Sequence, residues 1–595
     1  MKAVFAPDTA LLLAGGMCLL PFVLPYHQQP VLSFYPEWLA IALGVAAAFA
    51  MLVQRGFRAD AALPAPALWL AAFALFLALR WAFGAQAYPV SALLAFLYVL
   101  FAVLMMQLGA QLVATLGIER VATALAAFVL AGALVNSIAG VIQFYGRPAL
   151  FEDVIAELRG GRAYGNIAQS NLYTNYLALG QAALLLLWLR TRLRTSYAVA
   201  ALVLLVVASA LSGARGALLY AIWFALLGTL TARAVEKTDA KRLKWGAIGI
   251  AGALLAAHLL VPWVNGTLQL GLAGEGALDR LAVSTEGRFE PRLPVFLLAL
   301  RIFAAAPLVG VGVGEFPGAA FNLGLEPGIT AIGEVWTSPH NLLLHLLAEA
   351  GAIGACLVLG TLCVWGISLL QRYRAEASPA LWWIVATTGV ELLHSLIEYP
   401  LWSAHFLGIA ALLIGASTTP RAALPAVSGP VRLVAIAACV TLSVALGIAL
   451  RDFVRLDMAR ATGTRATLAP AAQAQSDTET MQSLTHGLLA PVAELWIFSG
   501  APLDRANLAT KLAMGERVAR VWPANAIIVR RAIFLALDGR AAQSRTALAS
   551  ALRAFPHRQD ATVMLLEQAR AADSEQIAPL LDLAKIASAG KRIER

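Results

Sequence analysis

Charge is what this 595-residue sequence has least of. Asp, Glu, Lys and Arg make up 13%, about half the usual share of a soluble chain, while 60% of residues are hydrophobic and mean hydropathy is +0.75. That balance excludes an ordinary soluble domain and leaves a polytopic membrane protein. Cysteine is nearly absent: Cys18, Cys356, Cys363 and Cys439 all lie in apolar runs without CxxC spacing, so neither a disulfide framework nor a cysteine metal site is expected. His340 and His345 stand five apart, so no HxxxH zinc pair exists; metal is a minority reading, and the spacing points to no other cofactor. No convincing small-residue cleavage site follows the first apolar run, so it reads as a retained helix, not a removed signal peptide. The net charge of +10 falls largely in short loops between apolar runs, where topology explains it better than nucleic acid does. The halves show no inverted repeat and no matching pair of Gly/Pro-broken helices, which argues against a transporter or lipid flippase.

What is present is a series of apolar runs long enough to span a bilayer. They lie at roughly 9–25, 37–54, 64–84, 89–116, 120–145, 172–190, 196–211, 216–232, 246–264, 341–370, 380–398, 401–418 and 432–451. The fold class is therefore all-α, with about 13 transmembrane helices. With a cytoplasmic N-terminus, every cytoplasmic loop is basic: Arg55 and Arg58, Arg120, Arg190 with Arg194, Lys241 with Lys244, Arg372 with Arg374, and Arg432. That is the positive-inside pattern. It leaves on the outer face the loops 146–170 and 265–339, the turns 212–216 and 398–400, and everything after Arg451. Two domains are expected: 1–451, a transmembrane domain including the large loop 265–339, and 452–595, a helical tail. In that tail Pro523 and Pro556 are spaced close to the roughly 34-residue period of tetratricopeptide-like helix pairs, with helices expected at 524–537 and 541–554. Such a tail either docks a protein partner or packs over the membrane domain.

Polar residues in this setting need a reason. The sequence 310–354 carries a Gly- and Pro-rich loop into an apolar helix through Ser338-Pro339-His340-Asn341. Ser338 or Thr337 is expected to cap that helix and Pro339 to sit in its first turn. His340 then lies at the helix mouth, where water meets membrane. Arg147, Arg159, Arg162, Arg215, Arg288, Arg292 and Arg80 gather on the outer side, and arginine's planar fork suits phosphate or diphosphate. Headgroup anchoring is the alternative, accepted for Arg147 and Arg301. Asn166, Gln169 and Asn171 open the sixth helix with neutral donors and acceptors, suited to a polyhydroxylated or phosphorylated ligand or to interhelical hydrogen bonding. Glu391, His394 and Glu398 fall at i, i+3 and i+7, one helical face on which His394 pairs with a carboxylate.

These parts resemble a known family. His340-Asn341 with Leu342-Leu343-Leu344, running through Glu349-Ala350-Gly351-Ala352-Ile353-Gly354, is similar to the signature of the O-antigen ligase and polymerase superfamily. Ser212-Gly213-Ala214-Arg215-Gly216 looks like its Ser-Arg-Gly turn with Gly213-Ala214 inserted. Gly165-Asn166 with Gln169 and Asn171, the stretch from His394 through Glu398-Tyr399-Pro400-Leu401-Trp402, and the start at Pro25-Tyr26-His27 resemble the bacterial protein O-oligosaccharyltransferases, also called pilin glycosylation ligases. The resemblance implies a metal-independent, inverting inner-membrane glycosyltransferase. It would move a preassembled oligosaccharide from undecaprenyl diphosphate to a hydroxyl of a periplasmic acceptor protein such as pilin, with His340, Arg288 and Arg215 catalytic. Gln169, Asn171, Asn166, Arg162, Tyr399, Glu398, Asn341 and His394 would bind substrate. The rivals are transfer to lipid A core, as in O-antigen ligases, and glycan polymerisation.

Overall fold

A computed structural model of the chain describes residues 7–27, 29–53, 63–191, 193–231, 237–270, 292–326, 335–419, 428–464 and 479–593. Every extended element among them is helical. In chain order the first nine helices are α1 (Pro7–Val23), α2 (Phe34–Leu52), α3 (Ala65–Phe83), α4 (Pro89–Leu116), α5 (Ile118–Tyr145), α6 (Ser170–Arg190), α7 (Thr195–Leu211), α8 (Gly216–Thr231) and α9 (Lys237–Leu268). They are followed by α10 (Arg292–Ala305), α11 (Phe316–Gly324), α12 (Leu342–Glu376), α13 (Pro379–His394), α14 (Ala404–Ser417) and α15 (Ser428–Thr464). The tail contributes α16 (Ala490–Gly500), α17 (Leu508–Val521), α18 (Asn525–Leu537), α19 (Ala541–Ala554), α20 (Gln559–Ala569) and α21 (Ser574–Ile593). All thirteen apolar runs of the sequence are helices. Among the described residues, eight are long and apolar enough to cross a membrane, and α1, α7, α8 and α14 are shorter apolar helices.

The chain forms two compact units, each assembled from separated segments: 1–74, 97–289 and 357–447 in one, 75–96, 290–356 and 448–595 in the other. In the first, α6 is the central helix, with 89% of its apolar window buried by α5, α7, α13 and α9. A helix enclosed on all sides has little solvent for its polar groups, and its two tyrosine hydroxyls turn to neighbours. The Tyr173 hydroxyl donates to the Asn136 carbonyl (3.2 Å) and that of Tyr176 to the Cys18 carbonyl (2.7 Å), while the Tyr176 ring stacks on Phe22 at 3.8 Å.

In the second unit the tail core is built on α18, whose Ile528, Val529, Ala532, Ile533, Phe534 and Leu537 are all buried. The two helices expected from proline spacing are α18 and α19, and α20 with α21 forms a further antiparallel-length pair. Carboxylates tie the remaining pieces of this unit together. Glu315 accepts the Ala87 N–H at 2.6 Å and pairs with Arg520 at 2.7 Å. Glu494 accepts the Tyr88 hydroxyl (2.5 Å) and pairs with Arg517 (2.6 Å). Burial first, and Glu494 second, push the Tyr88 phenol up, which keeps it a donor.

Helix α12 departs from the sequence reading, which runs it unbroken. Gly351 interrupts it at φ 66°, ψ −168°, a conformation essentially restricted to glycine. The break removes the two intrahelical bonds from Ala352 to Ala348 and from Ile353 to Glu349, and the loop after α10 satisfies all four groups. Val311 and Gly312 donate to the carbonyls of Ala348 and Glu349 (both 3.0 Å), and Ala352 and Ile353 donate to those of Pro307 (2.8 Å) and Leu308 (3.1 Å). The approach is close enough that a Cβ on Gly351 would lie 2.4 Å from the Leu308 backbone. Gly351→Ala should therefore cost about 1–3 kcal/mol or more and raise amide exchange across 307–316. Unchanged exchange in that loop would show that the break does not hold it.

Candidate active site

The residues singled out by sequence fall into two sets, one in each unit. In the first unit, Gln169 is the N-cap of α6, its side-chain oxygen accepting the Leu172 N–H. In the first turn Thr174 meets Ser212 hydroxyl to hydroxyl at 2.6 Å. Ser212 opens the turn between α7 and α8: its hydroxyl donates to the Ser209 carbonyl (2.6 Å) and receives the Ala214 N–H (3.1 Å), while Gly213 takes φ 57°. Arg215 follows, half-buried, immediately before α8 begins at Gly216. The hydroxyl pair thus ties α6 to the C-cap of α7, and with α8 beginning four residues further on, the helix N-termini near it are those of α6 and α8. Each contributes N–H groups and the positive end of a helix dipole, a setting that favours an anion.

Arg162 is drawn into the same turn. Its Nε donates to the Ser212 carbonyl at 2.6 Å and its terminal nitrogen to Asn171 Oδ1 at 3.2 Å. Asn171 in turn donates from Nδ2 to the Glu398 carboxylate at 2.7 Å. Arg162, Asn171, Ser212 and Glu398, distant in sequence, are therefore one hydrogen-bonded array beside Arg215. Tyr399 follows Glu398, half-buried with its ring 5.3 Å from Trp402; burial and then the Glu398 charge push its phenol up.

Asn166 plays another part. Its Nδ2 donates to the carbonyls of Val23 (2.9 Å) and Val154 (2.8 Å) and its Oδ1 accepts from Ala156 (3.0 Å), so its side chain holds the loop 146–169 in place. Gln143, which the sequence reading passed over, does the same from α5. It accepts the N–H groups of Tyr164 and Gly165 and donates to the carbonyls of Ala156 and Gly165. A glutamine inside an otherwise apolar helix was the available signal. Arg147 spends its guanidinium on the Glu152 and Ile155 carbonyls of its own loop.

One expectation is corrected here. Glu398 does not share a helical face with Glu391 and His394, because α13 ends at His394 and Glu398 lies in the following turn. His394 reaches the Tyr220 hydroxyl with Nδ1.

In the second unit, His340 stands outside α12, not in its first turn. Asn341 is the cap, its Oδ1 accepting the Leu344 N–H at 3.1 Å and its carbonyl the His345 N–H at 2.9 Å. Neither Ser338 nor Thr337 caps the helix, and Pro339 precedes it. Ser338 instead accepts the His340 N–H at 2.9 Å, and His340 adopts a left-handed φ of 50°. A non-glycine residue there costs energy that surrounding contacts must offset. The half-buried imidazole has the Trp336 ring edge-on at 5.4 Å. Below it, Glu349 accepts the N–H groups of Gly314 and Phe316 on one oxygen (both 3.0 Å) and meets His345 Nε2 at 2.9 Å with the other. The signature residue Glu349 thus has a physical role that the sequence reading did not assign: it fastens the glycine loop to the short helix behind His340. Arg288 lies outside the described residues.

An all-helical membrane protein with an anion-suited turn and a histidine held at a helix mouth defines a class, and comparison with known proteins narrows it. Residues 382–569 match the family described as "Virulence factor membrane-bound polymerase, C-terminal". Over 410 residues, 68% of this chain and 69% of the relative, the sequence is 28% identical to the general O-oligosaccharyltransferase of Acinetobacter baylyi. Together they support glycan transfer by an O-antigen ligase-like membrane enzyme, and the resemblance stated from the motifs stands. Arg162→Lys replaces a planar fork by a point charge and cannot keep both the Ser212 and Asn171 contacts. Glycan transfer should fall by about tenfold or more, the scale of one charged hydrogen bond; wild-type rates would show that the array is only scaffolding.

Proposed function

We propose that the chain is a protein O-oligosaccharyltransferase of the bacterial inner membrane. It transfers a preassembled oligosaccharide en bloc from undecaprenyl diphosphate to serine or threonine hydroxyls of periplasmic proteins such as pilin, without a metal and with inversion at the anomeric carbon. The observation that carries this reading is the turn at Ser212, where Arg162, Arg215 and two helix N-termini supply what a diphosphate leaving group needs. The basic short loops support a periplasmic side for the same turn. The identity to an enzyme named as a general O-oligosaccharyltransferase supports the donor and acceptor classes.

In this mechanism His340 takes the proton of the acceptor hydroxyl as its oxygen attacks the anomeric carbon. The bond from that carbon to the diphosphate oxygen breaks, and Arg215, with Arg288, neutralises the charge that develops there. Gln169 and Asn171 orient donor, and Tyr399 lines the acceptor side. A second reading is favoured by the polymerase description of the matched family: the acceptor hydroxyl would then belong to another glycan.

His340→Ala should lower transfer from purified lipid-linked donor by about 10²- to 10⁴-fold, the contribution of a positioned base; full activity would remove His340 from this role. Mass spectrometry of periplasmic proteins and lipopolysaccharide from cells with and without the chain separates the acceptors. Lost glycopeptides with intact lipopolysaccharide support the protein acceptor, whereas shortened lipopolysaccharide with intact glycopeptides overturns it.

A further inference from the structure

Within the second unit, α11 and the tail helices α17, α18 and α19 enclose an open groove of about 930 Å³. Its residues recur at helical spacing: Leu512 and Glu516 on α17, and Ile528, Arg531 and Leu535 on α18, each set on one face, with Phe321 on α11 opposite. The far wall, on α19, is polar, with exposed Gln543 and Thr546 and half-buried Ser550. Arg531 is half-buried, and among the described residues it has neither hydrogen bond nor ion pair, whereas its lining neighbour Arg540 is tied to Asp538 at 2.7 Å. An apolar floor, a wall of hydrogen-bonding side chains and a half-buried cation without an ion-pair partner, with the exposed carboxylate of Glu516 also in the lining, suit an extended polypeptide. Its apolar side chains enter the floor, its backbone meets the polar wall, and one carboxylate reaches Arg531. A diphosphate would call for more positive charge, and a glycan for more exposed aromatic surface than Phe321, which already stacks on Phe555 at 6.0 Å.

We infer that this groove binds a segment of the acceptor protein that carries an acidic residue, and so selects which hydroxyl is modified. The inference rests on the protein-acceptor reading above and adds the recognition element to it. The groove is coupled to His340 through the chain itself. Helix α11 starts at Phe316, whose N–H is held by Glu349, and Glu349 lies on the short helix that His340 precedes. Following that path at 1.5 Å per helical residue, the Phe321 wall is at most about 30 Å from His340, a span that roughly ten extended residues cover. The acid should therefore lie within about ten residues of the modified hydroxyl.

The test uses the full-length protein in lipid nanodiscs with purified lipid-linked donor. The acceptor is a synthetic peptide covering fifteen residues on either side of a serine whose glycopeptide disappears in cells lacking the chain. Arg531→Glu should raise the peptide's KM about tenfold, and replacing the peptide's acid by lysine should restore binding to Arg531→Glu while weakening it with wild type. Should Arg531→Glu fail to fold, Gln543→Trp at the exposed wall should raise KM by occluding the groove. Equal KM for wild type and variant, or a swapped peptide no better for the variant, overturns the groove while leaving the proposed function standing. If no glycopeptide depends on the chain, both fall together.

Discussion

Two hydrogen bonds missing from one helix organise the second unit. An intact α12 would bury its backbone polar groups within itself. The glycine at 351 opens it, and the four groups released at Ala348, Glu349, Ala352 and Ile353 would be costly to bury if the segment 307–312 did not complete them. The pairing is local and obligatory, so the loop's course is set by the break. From there the constraint spreads through side chains. Glu349 receives the N–H groups of Gly314 and Phe316 and so decides where α11 starts, and Glu315 in the same stretch pairs with Arg520 of the tail. His340 is placed by the near end of the same short helix, with Asn341 as cap and Ser338 holding the histidine's own amide.

The first unit solves a different problem by the same accounting. Its central helix α6 has almost no solvent contact, yet its N-terminal turns carry Gln169, Asn171 and Thr174. Gln169 caps the helix itself, while Asn171, through Arg162, and Thr174 reach the turn before Arg215. The Ser212 hydroxyl alone makes contacts with Thr174, Ser209 and Ala214. A turn held that tightly keeps the N-terminus of α8 aimed in a fixed direction, and preorganised N–H groups and guanidinium charges gain most where they need not reorient.

The helices were legible in the sequence because the signal was strong: thirteen apolar runs became thirteen helices, eight of them, among the described residues, long and apolar enough to cross a membrane, and proline spacing located α18 and α19. That these polar side chains need partners was also legible, and Asn166, Gln169, Asn171, Arg162 and Glu398 all make specific hydrogen bonds. What failed was geometry at helix ends. Ser338 and Asn341 are both good caps by composition, and only the path of the preceding loop decides between them. Glu398 keeps helical spacing from Glu391, but α13 stops at His394, so the shared face does not exist. The break at Gly351 was hidden because a glycine inside an apolar run is common in membrane helices, and what makes this one special is a loop some forty residues earlier.

The low charge content of the chain follows from how its polar sites are wired. In the second unit, Glu494 with Arg517 and Glu315 with Arg520 are ion pairs whose arginines keep 40% and 44% side-chain exposure, so desolvation is incomplete and the pairs are tolerable. At the mouth of α6 the link is a carboxamide. Asn171 accepts from Arg162 and donates to Glu398 at the same time, which neither a carboxylate nor an ammonium group could do. An amide in that position fixes the distance between cation and anion without adding charge of its own. Arg162 is thereby oriented by a neutral residue, which carries the hydrogen-bond chain on to the Glu398 carboxylate without adding charge to the turn.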